Sequence, residues 1–243
     1  MKKWLAVVLG LVLLAFSACV VPVNAITVRG SGNLTSENRV FKGFDSVQLG
    51  IMGKLEIVQG EEEGLEITAE DNLLPRITTV VRGKTLEIGT ASNVTIEPTK
   101  EITYILKVKN LSGVYASSLG SIHASQLSAN KIEVGVSSLG NIEIGALQAT
   151  DLLVRINSVG NITLAGTVST QDVQISSSGF YIAGDLQSQS AYVNISSSGN
   201  AKIWVVKDLG VQISSSGNLD YFGNPQLTTK ITSSGKVNAL GAH

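Results

Sequence analysis

From residue 111 onward, apolar and polar positions alternate in short bursts, and most bursts run into Ser-Ser-X-Gly or a close variant of it. The glycines fall at Gly120, Gly140, Gly160, Gly179, Gly199, Gly217 and Gly235, 18 to 20 residues apart. A period of this length marks a stacked array, in which each repeat buries its apolar face only by packing on its neighbours.

Counting back from each glycine gives three columns. Four residues before it stand Ala116, Val136, Ile156, Ile175, Ile195, Ile213 and Ile231; six before, Val114, Val134, Val154, Val173, Val193, Val211 and Thr229. Two before it stand Ser118, Ser138, Ser158, Ser177, Ser197, Ser215 and Ser233. Side chains alternate across a strand, so these columns share a face, and the aliphatic two assign that face to the interior. The serines are therefore expected to point inward where the coil turns, with their hydroxyls bonded to the corner backbone or to each other. The intervening column, from Ser117 through Asn157 to Thr232, is polar and faces out. The glycine fits a corner that needs either a positive φ or a close backbone approach.

After each glycine a second short strand begins, as in Asn141-Ile142-Glu143-Ile144 and Asn161-Ile162-Thr163-Leu164. Phe180-Tyr181-Ile182 departs from the pattern and marks an exposed aromatic spot or a local bulge. A third, looser segment closes each coil. The strict hexapeptide period of left-handed solenoids is missing. The reading is an all-β chain, a right-handed parallel β-helix (β-solenoid) of about seven coils over residues 111–240.

Residues 26–110 carry the same alternation in shorter pieces, including Val47-x-Leu49, Leu55-x-Ile57, Leu65-x-Ile67 and Leu86-x-Ile88. Arg82-Gly83-Lys84 reads as a hairpin turn. Asp71-Asn72-Leu73-Leu74 reads as one helical turn cut off by Pro75. The stretch supplies either the first coils of the solenoid or a cap that covers its open end.

Before it lies an address. Lys2 and Lys3 precede an apolar run from Trp4 to Phe16 and then Ser17-Ala18-Cys19, the layout of a secretory signal too short to span a membrane. Phe16-Ser17-Ala18-Cys19 is similar to a bacterial lipobox. On that reading residues 1–19 are removed, and a lipid on Cys19 anchors the protein to the membrane of the cell envelope. The rival is cleavage after Val23-Asn24-Ala25, which removes residues 1–25 and leaves a secreted or periplasmic protein.

Composition narrows the function. The net charge is −1 and no basic stripe is present, so a nucleic-acid role has no electrostatic footing. Cys19 is the only cysteine, and the two histidines are His123 and His243, which speaks against a disulfide, a cysteine metal cluster or a histidine-rich site. Glu61-Glu62-Glu63 reads as a solvated loop. Asp151, Asp172, Asp185, Asp208 and Asp220 are expected to scatter over different coil positions, and Glu133 with Glu143 make a weak pair. Neither supplies the opposed carboxylates that glycoside hydrolysis uses. No cofactor and no catalysis are expected.

Val40-x-x-x-Phe44-Asp45-Ser46-Val47, Leu55-Glu56-Ile57-Val58-Gln59-Gly60, Asp71-Asn72-Leu73-Leu74-Pro75 and Leu86-Glu87-Ile88-Gly89, followed by Ser-Gly-Asn coils, form a combination. It resembles the putative auto-transporter adhesin head GIN domain family over about residues 40 to 237. The resemblance implies an exported, often lipid-anchored bacterial β-solenoid, classed as an adhesin and without catalytic residues. The residues themselves leave three functions open. One is a binding module for a glycan or a surface protein; Trp204, Tyr192 and Phe222 read as core or corner packing, with a sugar-stacking platform as the alternative. Another is an envelope scaffold that forms homo-oligomers through its C-terminal coil. The third, less favoured, is a polysaccharide-active enzyme.

Overall fold

The computed structural model describes residues 26–243, so the export segment and Cys19 lie outside the described residues. Alternation of buried aliphatics with polar residues yields strands throughout. In chain order they are β1 (Ile26–Arg29), β2 (Leu34–Arg39), β3 (Ser46–Leu49), β4 (Lys54–Gln59), β5 (Gly64–Glu70), β6 (Ile77–Arg82), β7 (Thr85–Thr90), β8 (Val94–Glu97), β9 (Thr103–Val108), β10 (Gly113–Ala116) and β11 (Ser121–Ala124). Longer strands follow, β12 (Leu127–Val136) and then four that run from one corner to the next: β13 (Asn141–Ile156), β14 (Asn161–Ile175), β15 (Phe180–Ile195) and β16 (Asn200–Ile213). The chain closes with β17 (Asn218–Phe222), β18 (Gln226–Ile231) and β19 (Lys236–Gly241).

The strands stack in parallel into a β-solenoid, and its regular part between the corners at Gly120 and Gly235 makes about six turns. The seven coils expected from the sequence correspond to the seven glycine corners, which enclose six full turns. On the first face, before each glycine, the pairing order is β7, β3, β10, β12, β13, β14, β15, β16, β18. On the second face, after each glycine, it is β9, β4, β11, β13, β14, β15, β16, β17, β19.

The chain therefore does not climb from its start. Residues 46–59 form a coil that is sandwiched between the later coil of β7 and β9 and the first regular coil of β10 and β11. Beyond the β7–β9 coil, the outer end is finished by antiparallel pairs, β6 on β7 and β2 on β5 on β9. Residues 26–110 are thus both first coils and cap. A separate two-stranded parallel pair, β1 with β8, adds to this end.

Two turns follow local chemistry. Gly83 takes φ +62° between antiparallel β6 and β7, the first central position of a two-residue hairpin turn. The helical turn is a 3₁₀ turn at Leu74–Arg76, and Pro75 lies inside it rather than ending it. Proline is tolerated there because the first amides of a helix have no internal acceptor.

The interior is a continuous column of aliphatic side chains, from Val47 and Leu49 through Val134 and Ile156 to Ile213 and Leu219. The repeat glycines sit in the same inward phase, buried from Gly120 to Gly217. None of them has a positive φ. They are there for closeness: a methyl on Gly140 would stand 2.8 Å from the Gly120 carbonyl oxygen and 2.9 Å from Ala116 Cβ. Gly235, on the last corner, is only half-buried.

The serine column keeps the inward phase, but Ser118, Ser138, Ser158, Ser177, Ser197 and Ser215 are only half-buried, and Ser233 is exposed. The bend lifts them to the rim, where water can serve the hydroxyl. The expected hydroxyl bonding inside the corner is not found among the described residues, and the glycine, not the serine, closes the inner wall. The corners are bonded instead through the backbone, as in Asn161 N to Gly140 O at 3.3 Å and Asn200 N to Gly179 O at 3.2 Å.

One buried polar chain interrupts the aliphatic column. The Tyr181 hydroxyl donates to Gln171 Oε1 at 3.0 Å, Gln171 Nε2 donates to Ser188 Oγ at 2.8 Å, and Ser188 Oγ donates to the Trp204 carbonyl at 3.0 Å. Burial drives the Tyr181 hydroxyl strongly upward in pKa, so it is a permanent donor. At the cap end, Glu70 plays the converse part. It has no exposed surface and accepts from the Thr99 hydroxyl at 2.6 Å, the Thr99 amide at 2.8 Å, the Gly32 amide at 2.6 Å and the Lys100 amide at 3.4 Å. These bonds, led by the Thr99 hydroxyl, hold its carboxyl below its ordinary range against the cost of desolvation.

Candidate binding face

The outward columns vary from coil to coil without disturbing the interior. On the second face the column just after the glycine runs Ser121, Asn141, Asn161, Phe180, Asn200, Asn218, Lys236. The column two residues later runs His123, Glu143, Thr163, Ile182, Lys202, Asp220, Asn238. Both change character at the fourth member. Before it the face is polar with one acid, Glu143, and from it onward the face carries an aromatic ring, an isoleucine, two lysines and one acid, Asp220.

Phe180 and Ile182 are 47 % and 45 % exposed, while Tyr181 between them is buried. The pairing of β14 with β15 slips between Thr163 and Gly166, and that of β15 with β16 between Ala183 and Gln187. The triplet is thus both an exposed apolar spot and the neighbour of two bulges. It opens a shallow groove of about 560 Å³, floored by Ala201 and continued by Lys202, Asp220 and Lys236. The polar residues of the groove are ordered by their own ladder. Asn218 Nδ2 donates to Asn200 Oδ1 at 2.9 Å, and Asn238 Nδ2 donates to Asp220 Oδ1 at 2.9 Å. Each pair uses one acceptor and leaves further polar atoms, the Asn200 amide nitrogen and the second Asp220 carboxylate oxygen, outside these bonds.

A third column adjoins. Trp204 pairs in register with Phe222, and the His243 ring stacks on Trp204 with centroids 4.1 Å apart and meets Phe222 edge-on at 5.0 Å. His243 Nε2 also reaches Asp185 Oδ1 at 3.3 Å. The Lys202 stem lies across the gap between the two patches: a methyl on Gly184 would contact both its Cδ, at 3.3 Å, and the Phe222 ring, at 3.4 Å. Phe180, Trp204, Phe222 and His243 therefore belong to one face of the last coils. Tyr192, grouped with Trp204 and Phe222 on sequence grounds, sits on the first face, where its ring covers Gly210 and its hydroxyl reaches Gln212 Oε1 at 3.4 Å.

The first face has its own polar centre. Tyr115 lies flat between Gly113 and Gly135, so that a methyl on Gly135 would stand 2.9 Å from the ring. Burial, helped by the nearby Glu133 carboxylate, raises its hydroxyl. Glu133 itself is paired with Arg155.

The carboxylates are arranged differently from the sequence expectation. Asp151 and Asp208 do share a column, separated by Thr170 and Ser190. Thr170 Oγ1 donates to Asp151 at 2.7 Å and Ser190 Oγ donates to Asp208 at 3.3 Å. Three coils put them roughly 14 Å apart, outside the range at which two carboxyls flank one glycosidic bond. Glu133 and Glu143 stand on different faces and are not a pair. Glu61 and Glu62 lie on the surface, with Glu62 paired to Lys107 at 2.7 Å. Among the described residues no three or more His, Cys, Asp and Glu side chains gather as a metal site would require. Among them, too, no helix is long and apolar enough to cross a membrane.

Solved structures share this architecture. A putative adhesin from Bacteroides fragilis NCTC 9343 superposes with a TM-score of 0.83 at 19 % identity, covering 88 % of this chain and 100 % of its own. A putative lipid binding protein from Parabacteroides distasonis ATCC 8503 gives 0.74 at 24 %, over 88 % and 100 %. A putative adhesin from Parabacteroides merdae ATCC 43184 gives 0.68 at 21 %, over 89 % and 100 %. At such identities the likeness shows the fold. No curated protein matches the chain in sequence. Residues 43–225 match the model of the family described as "Putative auto-transporter adhesin, head GIN domain", and the chain belongs to that family.

Proposed function

We propose that this chain is an exported, non-catalytic binding module of the bacterial cell envelope, tethered through Cys19, that engages a glycan or surface protein with the second face of its last coils. The observation that carries the site is the change of character at Phe180. A face of Ser, Asn and Thr becomes one with exposed Phe180 and Ile182 and half-buried Trp204 and Phe222 beside Lys202 and Lys236. Single exposed apolar residues need no explanation, but a contiguous apolar patch rimmed by polar groups marks an interaction surface. Export rests on the basic, apolar and small-residue layout of residues 1–19, and anchoring on the lipobox-like Phe16-Ser17-Ala18-Cys19.

Two experiments test this reading. Mass spectrometry of the membrane fraction is expected to find a diacylglyceryl group on Cys19, and an unmodified N-terminus at Ile26 would refute the tether. Whole-cell adhesion and glycan-array binding are expected to fall in a deletion strain and recover with the wild-type chain. Equal binding with and without the protein would remove the adhesin role.

A second reading, self-assembly, draws on a different observation. The coil of β18 and β19 leaves Leu227, Ile231 and Leu240 about 40 % exposed. End-to-end stacking would cover them. Sedimentation showing monomers at high concentration would remove it.

A further inference from the structure

The groove that starts at Phe180 has a direction, a period and a charge, and together they specify its occupant more closely than adhesion does. Its direction is the solenoid axis. Phe180, Asn200, Asn218 and Lys236 are register partners on four successive coils, as are Ile182, Lys202, Asp220 and Asn238. Its period is the rise between coils, about 4.8 Å, so the strip is roughly 14 Å long and two columns wide. A chain of pyranose rings repeats on nearly that length, which lets each ring meet an equivalent pair of side chains.

The chemistry changes in order along the strip. The exposed Phe180 ring offers the apolar face that a sugar ring stacks on. Next come the amide nitrogen of Asn200 and the oxygens of Asn218 and Asp220 that these pairs leave unused, which suit hydroxyl groups. Lys202 and Lys236 flank the strip. The ion pairs of the described residues include neither of them, and the carboxylate between them, Asp220, is bonded to Asn238. Upstream on the same columns two carboxylates, Glu56 and Glu143, outnumber one lysine, Lys54, and His123 is paired with Glu56. An anionic chain is thus drawn to the last coils and repelled from the earlier ones.

We infer that the strip from Phe180 to Lys236 binds an anionic glycan, bearing uronate or sulfate groups, laid along the solenoid axis with one sugar ring per coil. This rests on the proposed function as a binding module and assigns the ligand class of that same face. Lys202 and Lys236 meet the acidic groups, Phe180 stacks on the first ring, and the Asn200–Asn218 pair fixes the hydroxyls between.

Isothermal titration of the full chain with tetragalacturonate, a chondroitin sulfate tetrasaccharide and neutral cellotetraose tests it. One or both anionic sugars are expected to bind, the uronate and sulfate arms telling the two acidic groups apart, with cellotetraose at least about tenfold weaker. Lys202→Gln with Lys236→Gln is expected to cost about tenfold for the anionic sugars and to flatten the salt dependence, as loss of exposed charge-assisted contacts does. Phe180→Ala should weaken them by a similar factor, while Asn141→Ala with Asn161→Ala, on the same face upstream, should change nothing. All these residues are at the surface, so melting temperatures report folding independently. If cellotetraose binds as well as the anionic sugars and the lysine variant is unaffected, the anionic assignment is overturned and the binding face survives. If no oligosaccharide binds and adhesion of cells is unchanged by Phe180→Ala, the face itself is wrong. Binding to phosphatidylglycerol vesicles alone would replace the glycan with a lipid surface and overturn the inference.

Discussion

Gly199 stands directly over the backbone of Gly179 on the preceding coil: a methyl group on Gly199 would lie 2.9 Å from the Gly179 carbonyl oxygen and 2.7 Å from that of Ser177. The same contact recurs from Gly140 on Gly120 to Gly235 on Gly217, and it brings successive corners into register.

Gly199→Ala therefore has to push two coils apart or force Ile175 out of place. Overpacking of this kind costs about 1–3 kcal/mol, and chemical denaturation should show a loss in that range. Ser197→Val, two residues away, should shift stability by no more than about 0.5 kcal/mol, because the serine is half-exposed at the rim. If the serine variant were the more damaging, the assignment of the inner wall to glycine would be wrong.

The buried polar chain gives a second stability test. Tyr181→Phe leaves Gln171 Oε1 without its donor inside the aliphatic column, and Ser188→Ala strands both Gln171 Nε2 and the Trp204 carbonyl. Each should cost about 1–3 kcal/mol, the penalty for a buried group left unpaired. Together they should cost less than the sum, since they act on one network. A simple sum in urea melts would mean the chain does not act as a unit.

Glu70 predicts a pH dependence. Its folded carboxyl titrates below its ordinary value of 4.5 because four donors hold the charged form. The unfolded state thus binds the proton first. The stabilisation is fully present above about pH 4.5 and is lost as the pH falls through the lower folded value. Glu37, Asp45 and Glu62 are lowered too, so the comparison is with Glu70→Gln. The wild-type melting temperature should fall more steeply than the variant's below pH 4.5, and parallel curves would show that the Glu70 bonds are not made.

The regular part of the fold was legible because one face of every strand is buried, and a period of two can then be phased from Val134, Ile156 or Ile175 alone. The order of coils at the cap was not. β3, β7 and β10 carry the same alternation, so nothing in Val47-x-Leu49 says that Leu86-x-Ile88 will lie on one side of it and Val114-x-Ala116 on the other. Glu70 was hidden for a related reason. It follows the strand Leu65-x-Ile67-x-Ala69, where a glutamate reads as solvent-facing, and its donors are 29 residues and more away. The signal at Phe180 was visible as a break in an asparagine column. Grouping Trp204 and Phe222 with Tyr192 failed because Tyr192 precedes the corner at Gly199 and so lies on the first face, whereas Trp204 and Phe222 follow their corners at Gly199 and Gly217.

Mapping tetragalacturonate onto the full chain by amide chemical-shift changes tests the binding face most directly. The account predicts shifts at residues 180–183, 200–204, 218–222 and 236–239, with residues 121–124, 141–144 and 161–164 unmoved. Shifts confined to the first face, or spread evenly over all the coils, would contradict it.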